Sequence, residues 1–144
     1  MARFKDPGIV QAAFQPYLEA GEQLRYSAYG VKQPPIALIA GLTLLAILPG
    51  LIATALMTKE YVVGLTDRRL IVLRFKGKAI KVEEVMEYSL DPLPPAKTST
   101  GSLFTHIAIA DPAKPFVAKF HRLGMEGNRE AAMAIAEVLT GQAA

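Results

Sequence analysis

The sequence contains no cysteine, no tryptophan and only two histidines. Without cysteine there is no disulfide and no thiolate metal site, and the redox compartment is left open. The histidines, His106 and His121, have no acidic residue or second histidine at ligand spacing, so no metal centre is expected. The glycines are scattered singly, and none builds a phosphate-cradling loop. Ser102 and Thr105 have no His–Asp arrangement behind them. Asp67, Glu83, Glu84 and Glu87 are explained more simply as turn and strand-surface residues than as an acid–base pair. No cofactor is expected, and no enzyme. The N-terminus, MARFKDPGIVQAAFQ, lacks the apolar core and small-residue cleavage site of a secretory signal. Charge is sparse too: 20% of residues are charged, with a net charge of +3. That balance suits an anionic membrane surface. It argues against nucleic acid, because the basic residues are not interleaved with exposed aromatics.

What the chain has in excess is a single apolar stretch, Ile36 to Met57, inside a charge-free window from Gln33 to Thr58. Its greasiest positions are Ile36, Leu38, Ile39, Leu42, Leu44, Leu45, Ile47, Leu48, Leu51, Ile52, Leu56 and Met57. As one straight helix it would rise about 33 Å, enough for a hydrocarbon core of about 30 Å. Pro49 and Gly50 interrupt it past the middle, and that pair is a strong helix break. Three arrangements satisfy these facts: a membrane-dipping hairpin, a single span, or a hairpin buried between subunits. The remainder of the 144 residues is ordinary in composition and of one-domain size.

Along the chain, Asp6-Pro7 starts a helix whose apolar positions run through Ile9, Val10, Ala13, Phe14, Tyr17 and Leu18 to a stop at Gly21. Pro16 kinks this run or divides it into two short turns. The helix either lies on a membrane, anchored by Phe4, Phe14 and Tyr17 beside Arg3 and Lys5, or packs on its own domain. Residues 22–32 alternate as a strand, with Leu24, Tyr26 and Ala28 on one side. After the insert come strands over 60–66 and 69–75, joined by Asp67-Arg68, and a fourth over 78–88 beyond a turn at Lys76-Gly77. Residues 91–100, DPLPPAKTST, read as an irregular surface loop. Strands follow over 101–110, with Leu103, Thr105, Ile107 and Ile109 on one face, and over 116–121. Asn128 caps a final helix that ends at Gly141, with Ala132, Ile135, Ala136 and Leu139 as its apolar stripe.

A strand meander closed by one amphipathic helix resembles the bacterial pleckstrin-homology (PH)-like domains. The residues that carry the likeness are Tyr61-x-x-x-Leu65-Thr66-Asp67-Arg68-Arg69-Leu70-Ile71, then Ile80 to Val85, then Gly101-Ser102-Leu103, with Gly21-Glu22 ahead of the first strand. The resemblance implies an α+β, mainly β fold: a PH-like antiparallel barrel or sandwich of about six to seven strands, capped by a C-terminal helix. An N-terminal helical segment (1–21) precedes the PH-like domain (22–141), and an apolar helical hairpin (34–58) is inserted within it, between the first two strands.

If both flanking strands belong to one sheet, the two ends of the insert lie on the same side of any membrane. It then bends at Pro49-Gly50 into arms of about 20 Å and 10 Å, neither long enough to span. Backbone freed at the bend needs cover, which favours self-association. A single span requires the first strand to lie outside the sheet. In that case Lys59 to Lys81 faces the cytoplasm. Basic residues gather around the insert and the first two hairpins. Lys32, Lys59, Arg68, Arg69, Lys76 and Lys78 are the candidate rim for anionic lipid, with Lys81 nearby. The expected function is a non-catalytic, membrane-associated binding or scaffold module at the cytoplasmic face of the cell membrane. Its expected partners are membrane lipid, further copies of itself and a membrane-protein partner. The alternatives are a soluble cytoplasmic assembly protein with the hairpin as subunit interface, and a single-pass membrane protein with a cytoplasmic β-domain.

Overall fold

The computed structural model describes residues 3–32 and 58–141. The apolar insert, and with it every insertion or interface candidate from Ile36 to Met57, lies outside the described residues.

Helix α1 (Pro7–Phe14) opens at Asp6, whose carboxylate accepts the Gly8 N–H at 2.8 Å, and Pro7 occupies the first turn, where no N–H is needed. Pro16 ends it by converting the next turn to 3₁₀ geometry over Gln15–Tyr17. The strands are β1 (Leu24–Lys32), β2 (Lys59–Thr66), β3 (Arg69–Lys76), β4 (Lys81–Ser89), β5 (Ala96–Thr100), β6 (Phe104–Ile109) and β7 (Phe116–His121). Helix α2 (Asn128–Leu139) closes the chain. All pairings are antiparallel, and the seven strands form one sheet in the order β4-β3-β2-β1-β7-β6-β5. Two meanders therefore meet where β1 pairs β7, at Val31 opposite Lys119. In hydrogen-bond terms the sheet is open, with β4 and β5 as its edges.

One core lies between the inner face of the sheet and α2. There Ala28, Val63 and Val72 from one half join Ile107, Phe116 and Phe120 from the other, against Ala132, Ile135, Ala136 and Leu139. A second core lies on the outer face of β2 and β3, where Phe4, Val10 and Phe14 cover Val62, Ile71, Leu73 and Phe75. Burial on both faces explains why β2 and β3 read as continuous apolar runs instead of alternating. It also decides how the N-terminal helix is used. Phe4 and Phe14 are buried in the domain, so they are not membrane anchors. Gly64 makes this docking fit, since a Cβ there would lie 2.8 Å from the Phe14 ring.

Five details differ from the sequence reading. The strand expected over 78–88 begins only at Lys81, because residues 77–80 form the turn after β3. A bulge between Leu24 and Tyr26 shifts the β1 register, so Leu24 packs outward beside α1 while Ala28 packs inward and Tyr26 is exposed. Residues 96–100, expected in a loop, form edge strand β5, whose Thr98 lies opposite Ile107. Its prolines, at 92, 94 and 95, all precede the ladder and remove no bond from it. Gly101 to Leu103 make the β5–β6 turn, with Leu103 exposed, so β6 begins at Phe104. The α2 cap is Gly127 at φ 72°, not Asn128. Asn128 is fully buried and works as a tie: its Oδ1 accepts the Tyr29 N–H at 2.7 Å, and its Nδ2 donates to the carbonyls of Tyr29 at 2.9 Å and His121 at 2.8 Å.

The condition for a single membrane crossing fails. β1 is an inner strand of the sheet, paired with β2 through to Lys32 opposite Lys59, so the two residues that flank the apolar stretch lie side by side. Among the described residues, no helix is long and apolar enough to cross a membrane.

Candidate functional site

The strand ends that flank the apolar stretch carry a cluster of lysines. Lys32 lies opposite Lys59 on the β1–β2 ladder. On the β2–β3 ladder Glu60 is opposite Phe75, so one further step along that register sets Lys59 opposite Lys76. Lys76 is in turn opposite Lys81. Four lysines therefore form a row across four adjacent strands, at interstrand spacings of about 4.8 Å. All four are exposed. The row continues the inner face of the sheet, two residues from the buried Tyr61 on β2. Lys78 lies beside it in the β3–β4 turn.

Few local anions balance the row. Lys76 has Glu83 at 3.9 Å. Among the described residues, Lys32, Lys59, Lys78 and Lys81 have no carboxylate within salt-bridge distance. Glu60, next to Lys59, is already committed. It accepts Arg3 Nε at 2.8 Å and the Tyr29 hydroxyl at 2.6 Å. Burial and this anionic partner together push the Tyr29 phenol well above its ordinary range. Like charges directly opposite on a ladder repel, so the row is an electrostatically unfavourable arrangement that an external anion would relieve.

Arg68 and Arg69 are not part of this cluster. They lie at the other end of the β2–β3 hairpin, a strand of eight residues away, or about 23 Å. Arg69 has a different task. Its Nε and Nη2 hold Glu22 in a bidentate pair at 2.9 and 2.8 Å, Nη2 also donates to the Tyr17 carbonyl at 2.6 Å, and Nη1 reaches Glu87 at 2.6 Å. Glu22 is buried and also accepts the Thr66 hydroxyl at 2.8 Å and the Glu19 N–H at 3.0 Å. The Arg69 guanidinium, helped by those two donors, holds the Glu22 carboxyl at about 2 against its burial. This network fastens the connection between the N-terminal helix and β1 to the hairpin, and it leaves little of Arg69 for a ligand.

The two histidines converge. On the outer face of β6 and β7 the Phe104 ring is 4.9 Å from His121, edge to face, and 6.1 Å from His106, with Lys119 Nζ 4.8 Å above its centre. Sequence spacing hid this group, because the β6–β7 register is what brings His121 to the Phe104 ring beside His106.

The fold and site together define a small domain with one open seven-stranded antiparallel sheet, a C-terminal capping helix and a basic end; the sheet is consistent with a PH-like fold, although it is neither the closed barrel nor the sandwich that the resemblance implies. The chain is similar in structure to the hSac2 domain of the human phosphoinositide phosphatase Sac2, with a TM-score of 0.51 and 12% identity over 94% of this chain and 79% of that one. It is also aligned with a pleckstrin homology domain from Shewanella amazonensis SB2B, with a TM-score of 0.44 and 15% identity over 95% of this chain and 97% of that one. At such identities the likeness concerns the fold alone. Neither a protein-family model nor a curated protein matches the sequence.

Proposed function

We propose that the chain is a non-catalytic PH-like binding module, held at the cytoplasmic face of a membrane by its apolar insert and self-associating there, with the lysine row lying against anionic lipid. The observation that carries this reading is the Lys32–Lys59 pair. It is an unbalanced, cross-strand like-charge pair, and in sequence it brackets the charge-free apolar segment. If the segment enters a bilayer, the row is brought to the depth of the lipid phosphates. Each lysine there contributes on the order of 1 kcal/mol of attraction to an anionic leaflet. The adjacent ends of the insert suit a segment that enters and leaves by the same face of the membrane. A bend at Pro49-Gly50, which the sequence leads one to expect, would need cover from a second copy or a membrane-protein partner.

The double variant Lys32→Glu/Lys59→Glu tests the row. Its preference for phosphatidylglycerol-containing over neutral vesicles is expected to fall at least about 30-fold, the equivalent of two such contributions. Arg68→Glu, at the far end of the hairpin, is expected to leave that preference nearly intact. An unchanged preference in the double variant would remove the lysines from the lipid contact.

A further inference from the structure

The two halves of the sheet differ in how their outer faces are covered. On β2 and β3 that face is sealed by α1 and Phe4. On β5, β6 and β7 no described element covers it, since α2 packs on the opposite side with Ile107, Ile109, Phe116 and Phe120. The register states what the bare face presents. Lys97 lies beside Ala108 and Val117, and Ser99 beside His106 and Lys119, while Phe104 is opposite His121. None of these outward positions is acidic. Apolar side chains are exposed among the cations: Val117 is 50% exposed on the face, and Leu103 and Leu123 are 46% and 55% exposed at its margin. Leu103 shares a shallow groove with Phe104 and His106.

This face is continuous with the basic end of the sheet. A concavity of about 720 Å³ is lined by Arg3, Lys5, Tyr29, Lys78, His121 and Leu123, with no carboxylate among its lining residues. Lys78 belongs to the β3–β4 turn beside the lysine row, and His121 belongs to the bare face. Lys119 is opposite Val31 on this outer face, one residue from Lys32, whose side chain is on the inner face.

Cations interspersed with exposed leucine, valine and one phenylalanine are the composition of a surface that lies in the headgroup layer, where apolar side chains enter the acyl boundary and cations meet phosphate. We propose that the outer face of β5–β7 is a second contact surface for an anionic bilayer, so that the domain lies down on the membrane beside its anchor. Phe104 and Val117 enter the interface, and Lys97, Lys119, His106 and His121 face lipid phosphates. This rests on the membrane reading above and adds an orientation to it.

The absence of native cysteine makes the test direct. The full chain carrying Val117→Cys is labelled with a polarity-sensitive fluorophore and floated with phosphatidylcholine vesicles, with or without phosphatidylglycerol. A chain carrying Glu130→Cys, exposed on α2 across the sheet, serves as the reference. The label at 117 is expected to shift to the blue on anionic vesicles only, and the label at 130 on neither. Adding Lys97→Ser and Lys119→Ser is expected to lower the shifted population about fivefold per lysine. A vesicle-bound chain whose label at 117 behaves like that at 130 would overturn the second surface and leave the anchor intact. An equal shift on neutral vesicles would overturn the charge recognition. A shift without vesicles that grows with protein concentration would give the face to a second copy of the chain. A chain that does not float at all would overturn both readings.

Discussion

Single side chains hold this domain together at its seams. Glu22 is the clearest case, because it lies between the N-terminal helical segment and β1 and is satisfied by Arg69, Thr66 and a backbone N–H together. Its carboxyl is held at about 2, against an ordinary 4.5. A depressed carboxyl contributes stability that is complete above the ordinary value and is lost as the pH falls from 4.5 through about 2. Glu22→Gln breaks a buried pair and is expected to cost about 3 kcal/mol at neutral pH by denaturant unfolding. It should also flatten the decline of stability over that acid window. A variant as stable as the parent, with the same acid limb, would show the network to be incidental. Asn128 makes the corresponding tie between β1, β7 and α2. Its position before a helical run is the ordinary signature of a cap, and only its complete burial beside Tyr29 reveals the other use.

At the level of elements, patterning and turn chemistry made most of the fold legible. The runs YVVGL and LIVL, the Asp67-Arg68 turn between them, the α2 stripe and the Asp6-Pro7 helix start all lie where their residues indicate. The misses have local causes. One extra residue at the β1 bulge reverses the faces of Leu24 and Ala28, and a two-residue period cannot register it. β5 has no apolar alternation, since an edge strand whose inner positions are Ala96, Thr98 and Thr100 needs little hydrophobicity to pair with β6. Reading it as a loop also concealed the outer face it helps to form. The basic cluster was legible as a composition but not as a place. Lys59 and Arg69 are close in sequence, yet an intervening strand puts them at opposite ends of a hairpin. The docking of α1 is testable at this level. In Gly64→Val the added side chain meets the Phe14 ring and the Leu24 side chain, both 2.8 Å from the Cβ position. The expected cost is about 1–3 kcal/mol. Hydrogen exchange should quicken at the Val10–Phe14 amides while α2 keeps its protection. Unchanged exchange in α1 would mean that the helix does not depend on that seat.

For the whole molecule, the arrangement of its parts matters more than any one of them. A sheet with α2 on one face and α1 on half of the other presents a lysine row at one end, which brackets the apolar segment in sequence, and a basic and apolar face on β5–β7 that no described element covers. A membrane would satisfy all three at once: the segment by burial, the row by anionic phosphate, the face by the headgroup layer. The most direct measurement is a membrane fractionation of the intact chain, washed with carbonate, then extracted with detergent and sized. The chain is expected to stay in the pellet through carbonate and to leave it only in detergent. A chain that is released without detergent and elutes as a large oligomer would contradict this, and would make the apolar segment a subunit interface.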